Sequence, residues 1–201
     1  MAESTRAQDI SDEEKSYFEI RVKQKVEEFQ NALSNIVNVE LRDDIRKENV
    51  TNLLKLFMGE GEPYDYYDEE ADTRVHSTGV KMHTLCIYKT NNQLQQLKRY
   101  IYKLYNPETG KSSLPYSKIS LEAADALRIE NIQNVGNHYE CIAYYTQRFI
   151  GYRDGKVALT EKSMKKIKCY MQGDSSVQLP SGKRIYPVLL GDIYVLSTKK
   201  L

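Results

Sequence analysis

The chain has 201 residues, 40% hydrophobic and 28% charged, which is long enough to bury a core and ordinary for a globular protein. Its formal net charge of +1 excludes a dominant nucleic-acid footprint, which needs a clear basic excess. No stretch is long and apolar enough to span a membrane, so a membrane span is not expected.

Residues 1–10 read as a flexible tail ahead of one domain over 11–201. They lack the apolar core of an export signal, so as written the chain reads as soluble and cytoplasmic. The run Thr5-Arg6-Ala7-Gln8-Asp9 resembles the end of a cleaved leader in some envelope proteins. On that second reading the compartment is periplasmic, envelope or virion.

Ser11-Asp12-Glu13-Glu14 spells a capping box, with Ser11 accepting from the Glu14 N–H and Glu14 reaching back. Phe18, Val22, Val26, Phe29, Leu33 and Ile36 then recur in steps of four and three. They form the apolar stripe of a long amphipathic helix over 11–37. A second helix is expected over 41–57, carrying Leu41, Ile45, Leu53, Leu54 and Phe57, with Gly59 as a left-handed stop.

Residues 59–73 read as an acidic, tyrosine-rich loop. Glu60, Glu62, Asp65, Asp68, Glu69, Glu70 and Asp72 follow one another with no Lys or Arg between them. Residues 74–89 read as extended, with a turn at His76-Ser77-Thr78-Gly79. Leu94, Leu97, Ile101 and Leu104 predict a third helix over 91–105, ended by Asn106-Pro107.

The remainder reads as strand: Leu127–Val135, Tyr139–Tyr152, Val157–Met171 and Ile185–Ser197. Arg153-Asp154-Gly155-Lys156 and Gly173-Asp174-Ser175-Ser176 supply tight turns. Ile167, Cys169 and Met171 alternate with Lys166, Lys168 and Tyr170, which gives one apolar and one polar face. Short turns between successive strands imply an antiparallel meander. The fold class is therefore α+β, with N-terminal helices packed on a curved antiparallel sheet.

This order of helix, helix, hairpin, helix and long strands resembles the nuclear-transport-factor-two-like superfamily. The segments that carry it are Tyr17–Val37, Asn92–Tyr105, Tyr139–Tyr152, Lys165–Met171 and Tyr186–Leu196, within roughly residues 12–198. The likeness is one of topology, without a shared motif. It implies a cone: a strongly bent sheet around the first helix, with a pocket at the open end and a sheet face that often mediates dimers. Members include enzymes, adaptors and scaffolds, so fold does not carry function here.

No catalytic or metal motif is present. His76, His83 and His138 lack ligand-spaced partners, and there is no H-E-x-x-H or C-x-x-C, so neither metal nor cofactor is expected. Cys86, Cys141 and Cys169 are widely spaced among apolar neighbours and read as buried free thiols, with a Cys141–Cys169 bridge as the alternative in an exported chain.

Asp192 stands among apolar strand residues. In an apolar pocket its pKa would rise and fit it for acid–base work; in a Gly-Asp bulge it would be structural. His83 is the second acid–base candidate, set against a structural imidazole. Tyr100, Tyr139, Tyr144 and Tyr145 are the pocket-lining candidates. Tyr64, Tyr66, Tyr67, Asp68 and Glu69 are the candidates for docking a basic partner. Lys162, Lys165, Lys166 and Lys168 form a basic stretch that could suggest nucleic acid, but alternation puts Lys166 and Lys168 on one strand face, read as a solvated side that blunts edge pairing.

Three functions stay open. The first is a non-enzymatic binding or assembly domain acting through protein contacts or self-association, with a small-molecule pocket as an accessory. The second is an isomerase or dehydratase using Asp192 or His83 inside the cone. The third is an envelope or virion component.

Overall fold

The computed structural model describes residues 11–68, 71–86, 89–123, 125–135, 138–172, 177–178, 180, 184–185 and 187–201. Among them are three α-helices and a mostly antiparallel sheet. Helix α1 (Asp12–Val37) begins at Ser11 with both halves of the capping box formed. All six residues of its predicted stripe are buried. Helix α2 (Asp43–Leu54) ends three residues earlier than expected and packs on α1. Its buried side is Arg46, Val50 and Leu53, whereas Ile45 is exposed. Arg46 is held there by donating to the Ile36 carbonyl at 2.9 Å and by lying 4.0 Å over the Tyr105 ring.

Gly59 takes φ +62° inside a short 3-10 turn, Met58–Gly61, where an added Cβ would strike the Tyr64 ring at 2.5 Å. Beyond this turn the fold departs from the expectation raised by the sequence. The expected acidic loop is a β-hairpin, β1 (Tyr64–Asp68) against β2 (Thr73–Ser77). His76 and Ser77 therefore lie in a strand, not a turn. Tyrosine is a strand former, and Asp65 binds His76 at 2.7 Å and Arg74 at 2.8 Å across the pair, which offsets the acidic charge.

The expected helix 91–105 is also divided. Its first part is strand β4 (Lys89–Gln96), paired antiparallel with β3 (Lys81–Cys86), and only Leu97–Leu104 forms α3. Leu94 pairs with His83 and is exposed, while Leu97, Ile101 and Leu104 are buried.

Strand β5 (Lys118–Ala123), which the sequence does not announce, pairs with β7 (His138–Arg153), as does β6 (Arg128–Val135). Strands β7 and β8 (Lys156–Gln172) form a long hairpin closed by Asp154 and Gly155, at φ +51° and +72°. Two short strands, β9 (Val177–Gln178) and β10 (Arg184–Ile185), pair with each other. The predicted turn Gly173–Ser176 lies outside the described residues.

The final strand, β11 (Val188–Lys200), runs between β8 and β3. It is antiparallel to β8 but parallel to β3, so the sheet is not a pure meander. The main sheet runs β4-β3-β11-β8-β7-β5, with β6 also on β7.

One face of this sheet meets the helices. Cys141, Ala143 and Tyr145 of β7, Ile167, Cys169 and Met171 of β8, and Leu190 and Ile193 of β11 join Phe18, Phe29, Phe57 and Ile101 in one core. Strand alternation sends the intervening residues to the opposite face, here called the open face. Among the described residues no helix is long and apolar enough to cross a membrane.

Candidate functional site

The polar residues of the sheet gather in two places, one on each face. On the open face, β11 carries a bulge between Leu190 and Ile193, at Gly191-Asp192. The Asp192 Oδ1 accepts from the Lys81 N–H at 2.8 Å, and Oδ2 accepts from the Tyr194 hydroxyl at 3.2 Å. Its carboxylate thus completes the ladder where β3 first meets β11. His83 sits nearby, its Nδ1 3.2 Å from the Val195 carbonyl and 3.3 Å from the Val195 N–H. Its ring lies 6.5 Å from that of Tyr194. Both acid–base candidates therefore stand on the face turned away from the helices, and each is engaged with main chain.

Beside them Arg128, Tyr144, Lys166 and Tyr194 stand in register across β6, β7, β8 and β11. The Arg128 guanidinium lies 5.1 Å from the Tyr144 ring centre, and the Lys166 ammonium 5.3 Å from that of Tyr194. These are cation–aromatic contacts that hold the charged stems flat against the sheet. Leu94 of β4, opposite His83, continues this row, and one level on lie Leu196 of β11 and Met164 of β8; the three are exposed at 51%, 45% and 46%.

Toward the other end of this face, Lys168 and His138 donate to Glu140 at 2.8 Å and 3.1 Å. Burial works to raise the Glu140 carboxyl, but these two partners outweigh it and hold it below the usual range. Tyr170 lies across Gly191, where an added Cβ would meet its ring at 2.6 Å. Burial pushes the Tyr170 phenol up, with Tyr64, Glu140 and Asp192 adding to the effect. Tyr64 and Tyr66 of the hairpin, 6.1 Å apart, thus stand near this end of the sheet. Tyr66 and Tyr67 are exposed, and Tyr67 donates to Asp72. Of the partner-binding candidates, Asp68 is described in its backbone only, and Glu69 lies outside the described residues.

The four pocket candidates separate. Tyr144 is on the open face. Tyr139 is opposite Met171 and packs against the core. Tyr145 is on the helix face, where burial raises its phenol, with Cys169 and then Tyr100 of α3 adding to the effect. Burial pushes Tyr100 itself up to about 12.

Around Tyr145 is a cluster that the sequence reading misses. Lys165 is its register partner on β8, and Gln147 lies two residues along β7 on the same face. Lys165 donates to the Gln147 Oε1. Burial pulls the Lys165 ammonium down to about 8, with Glu161 opposing the shift. Glu161 and Gln147 are both buried. The signal that finds Lys165 is alternation itself: two residues back from Ile167 and four from Cys169, it falls on their face and not on that of Lys166 and Lys168.

Cys141 and Cys169 stand opposite one another on β7 and β8 as buried free thiols. Burial, followed by the neighbouring Cys141, holds the Cys169 thiol well above its ordinary range. Set against known proteins, the chain matches no family model, no curated protein and no solved structure.

Proposed function

We propose that this chain is a non-enzymatic binding and assembly domain that pairs with a second copy of itself through the open face of its sheet. The observation that carries the reading is the pair Leu196 and Met164 on the neighbouring strands β11 and β8, with Leu94 beyond β3 on β4, three large apolar side chains left about half exposed on this face. A single exposed leucine needs no explanation, but two side by side on neighbouring strands and a third on the same face are the start of a patch. Each is already about half buried, so completing its burial gains about 1 kcal/mol, half of the full value. The flanking row of Arg128, Tyr144, Lys166 and Tyr194 supplies a rim rich in the residue types that interfaces favour. A two-fold contact fits, because one patch then meets itself. In this reading the sheet is the strongly curved wall of a nuclear-transport-factor-two-like cone, and the hairpin borders the contact.

The isomerase or dehydratase alternative draws little support from Asp192, whose two oxygens are spent on the bulge, or from His83, whose Nδ1 is engaged with Val195.

Sedimentation of the full chain at micromolar concentrations tests the proposal. The expected result is a dimer that Leu196→Glu, or Met164→Glu, converts to a folded monomer. A wild-type chain that stays monomeric throughout would refute self-association by this face.

A further inference from the structure

The helix face of the sheet carries a second site, independent of the open face. We propose that Lys165, Gln147 and Tyr145 form a recess that binds a small organic monocarboxylate.

The pattern of satisfied and unsatisfied hydrogen-bonding groups points to this ligand. Gln147 is 2% exposed and Tyr145 5%. The Gln147 Oε1 is occupied by Lys165, which fixes the amide orientation and turns Nε2 the other way. Neither that Nε2 nor the Tyr145 Oη has a hydrogen-bond partner among the described residues. A buried donor without an acceptor costs about 1–3 kcal/mol, and native folds leave few such atoms without a reason. Here both belong to the strand face of an ammonium that has further N–H groups to give, Gln147 as its partner and Tyr145 as its register neighbour.

Ammonium, amide and phenol are all donors, so the missing group is an acceptor. A carboxylate has two oxygens able to take several donors, and its charge would restore the setting that burial denies Lys165. Ser163 does not compete, because its hydroxyl is paired with Thr198 at 2.9 Å.

The surroundings set the rest of the ligand. Val195 flanks Lys165 on the β11 side and Ile167 follows it on β8, so the walls are apolar. Tyr100 adds a ring from α3. The ligand body is therefore apolar. The buried Glu161 carboxylate lies on the same strand face and disfavours a second negative charge, which selects monocarboxylates. Lys165 keeps accessible surface although the protein around it strips water from its ammonium, which gives the ligand a way in.

Titration calorimetry of the full chain with benzoate and hexanoate tests this, with benzamide and hexanol as uncharged controls. Both carboxylates should bind, each at least about tenfold more tightly than its control, a difference of about 1.4 kcal/mol. Lys165→Met should abolish binding. Tyr145→Phe, which removes one oxygen and keeps the ring, should weaken it several-fold with the thermal transition retained. The site is refuted if neither carboxylate binds the wild type, which would leave water as the only occupant. It is equally refuted if Lys165→Met binds as the wild type does.

Discussion

Lys165→Met should stabilise the protein at neutral pH and lose that advantage in alkali. Burial takes the Lys165 ammonium from 10.5 to about 8. At about 1.36 kcal/mol per pH unit, keeping it charged in the fold costs about 3 kcal/mol. Methionine has a similar length and no charge, so it removes that cost. It also strips the Gln147 Oε1 of its donor, which returns about 1 kcal/mol. The net gain is about 2 kcal/mol at pH 7, a rise of about 4–8 °C in Tm for a chain of this size. The pH dependence is the sharper test. Below about pH 8 folded and unfolded wild type both carry the charge, and the full penalty is present. Between about 8 and 10.5 the unfolded chain holds the proton that the folded chain has released, so wild-type stability climbs with pH. Urea midpoints of wild type and variant across that window isolate this lysine, because every other group titrates alike in both. A difference that stays flat from pH 7 to 10.5, or a variant markedly less stable at pH 7, would refute a dehydrated Lys165.

The sheet supplies two more expected outcomes. Asp192→Ala leaves the Lys81 N–H without its acceptor and should cost about 1–3 kcal/mol; Asp192→Asn keeps an acceptor oxygen and should cost well under half of that in the same urea titration, whereas equal losses would remove the bulge role. In a Cys86→Ser background, Cys141 and Cys169 should resist a thiol-reactive dye in the native state and react fully in denaturant; prompt native labelling would contradict their burial.

Local physics makes part of this fold legible in the sequence. The capping box and the stripe of α1 are complete within one helix, and the Asp154-Gly155 turn fixes the β7–β8 hairpin by backbone conformation alone. The two segments that differ from expectation depend on distant partners. Leu94 falls at helical spacing from Leu97, yet β3 is there to pair with residues 89–96, and the spacing is overridden. Tyr64–Asp68 looks like a solvated acidic loop until Arg74 and His76 are placed across from Asp65. Of the candidate site residues, Tyr100 and Tyr145 do adjoin, while Asp192 and His83 lie on the other face. Asp192 is undecidable in sequence because a Gly-Asp bulge reverses the alternation that would assign its face. Lys165 is hidden for the opposite reason: it stands among four lysines in seven residues that read as one basic stretch, although alternation separates it from Lys166 and Lys168.

The self-association face and the carboxylate recess meet on β8, and they make opposite demands on neighbouring residues. Lys166 belongs to the charged and aromatic row of the open face, and Lys165 to the donor cluster of the helix face. A slip of β8 by one residue would exchange them, sending Lys166 into the core and Ile167 to the open face. Three features oppose that slip: the Asp154-Gly155 turn, the register shift between Gly151 and Tyr152, and the two shifts along β11. The apolar core favours the same register, since Ile167, Cys169 and Met171 lose their burial together in any other. The register that buries the core is thus the one that keeps the Leu196–Met164 patch outward and the Lys165–Gln147–Tyr145 donors inward. A substitution that loosens the Asp154-Gly155 turn should then weaken dimerisation and carboxylate binding together, though it touches neither site.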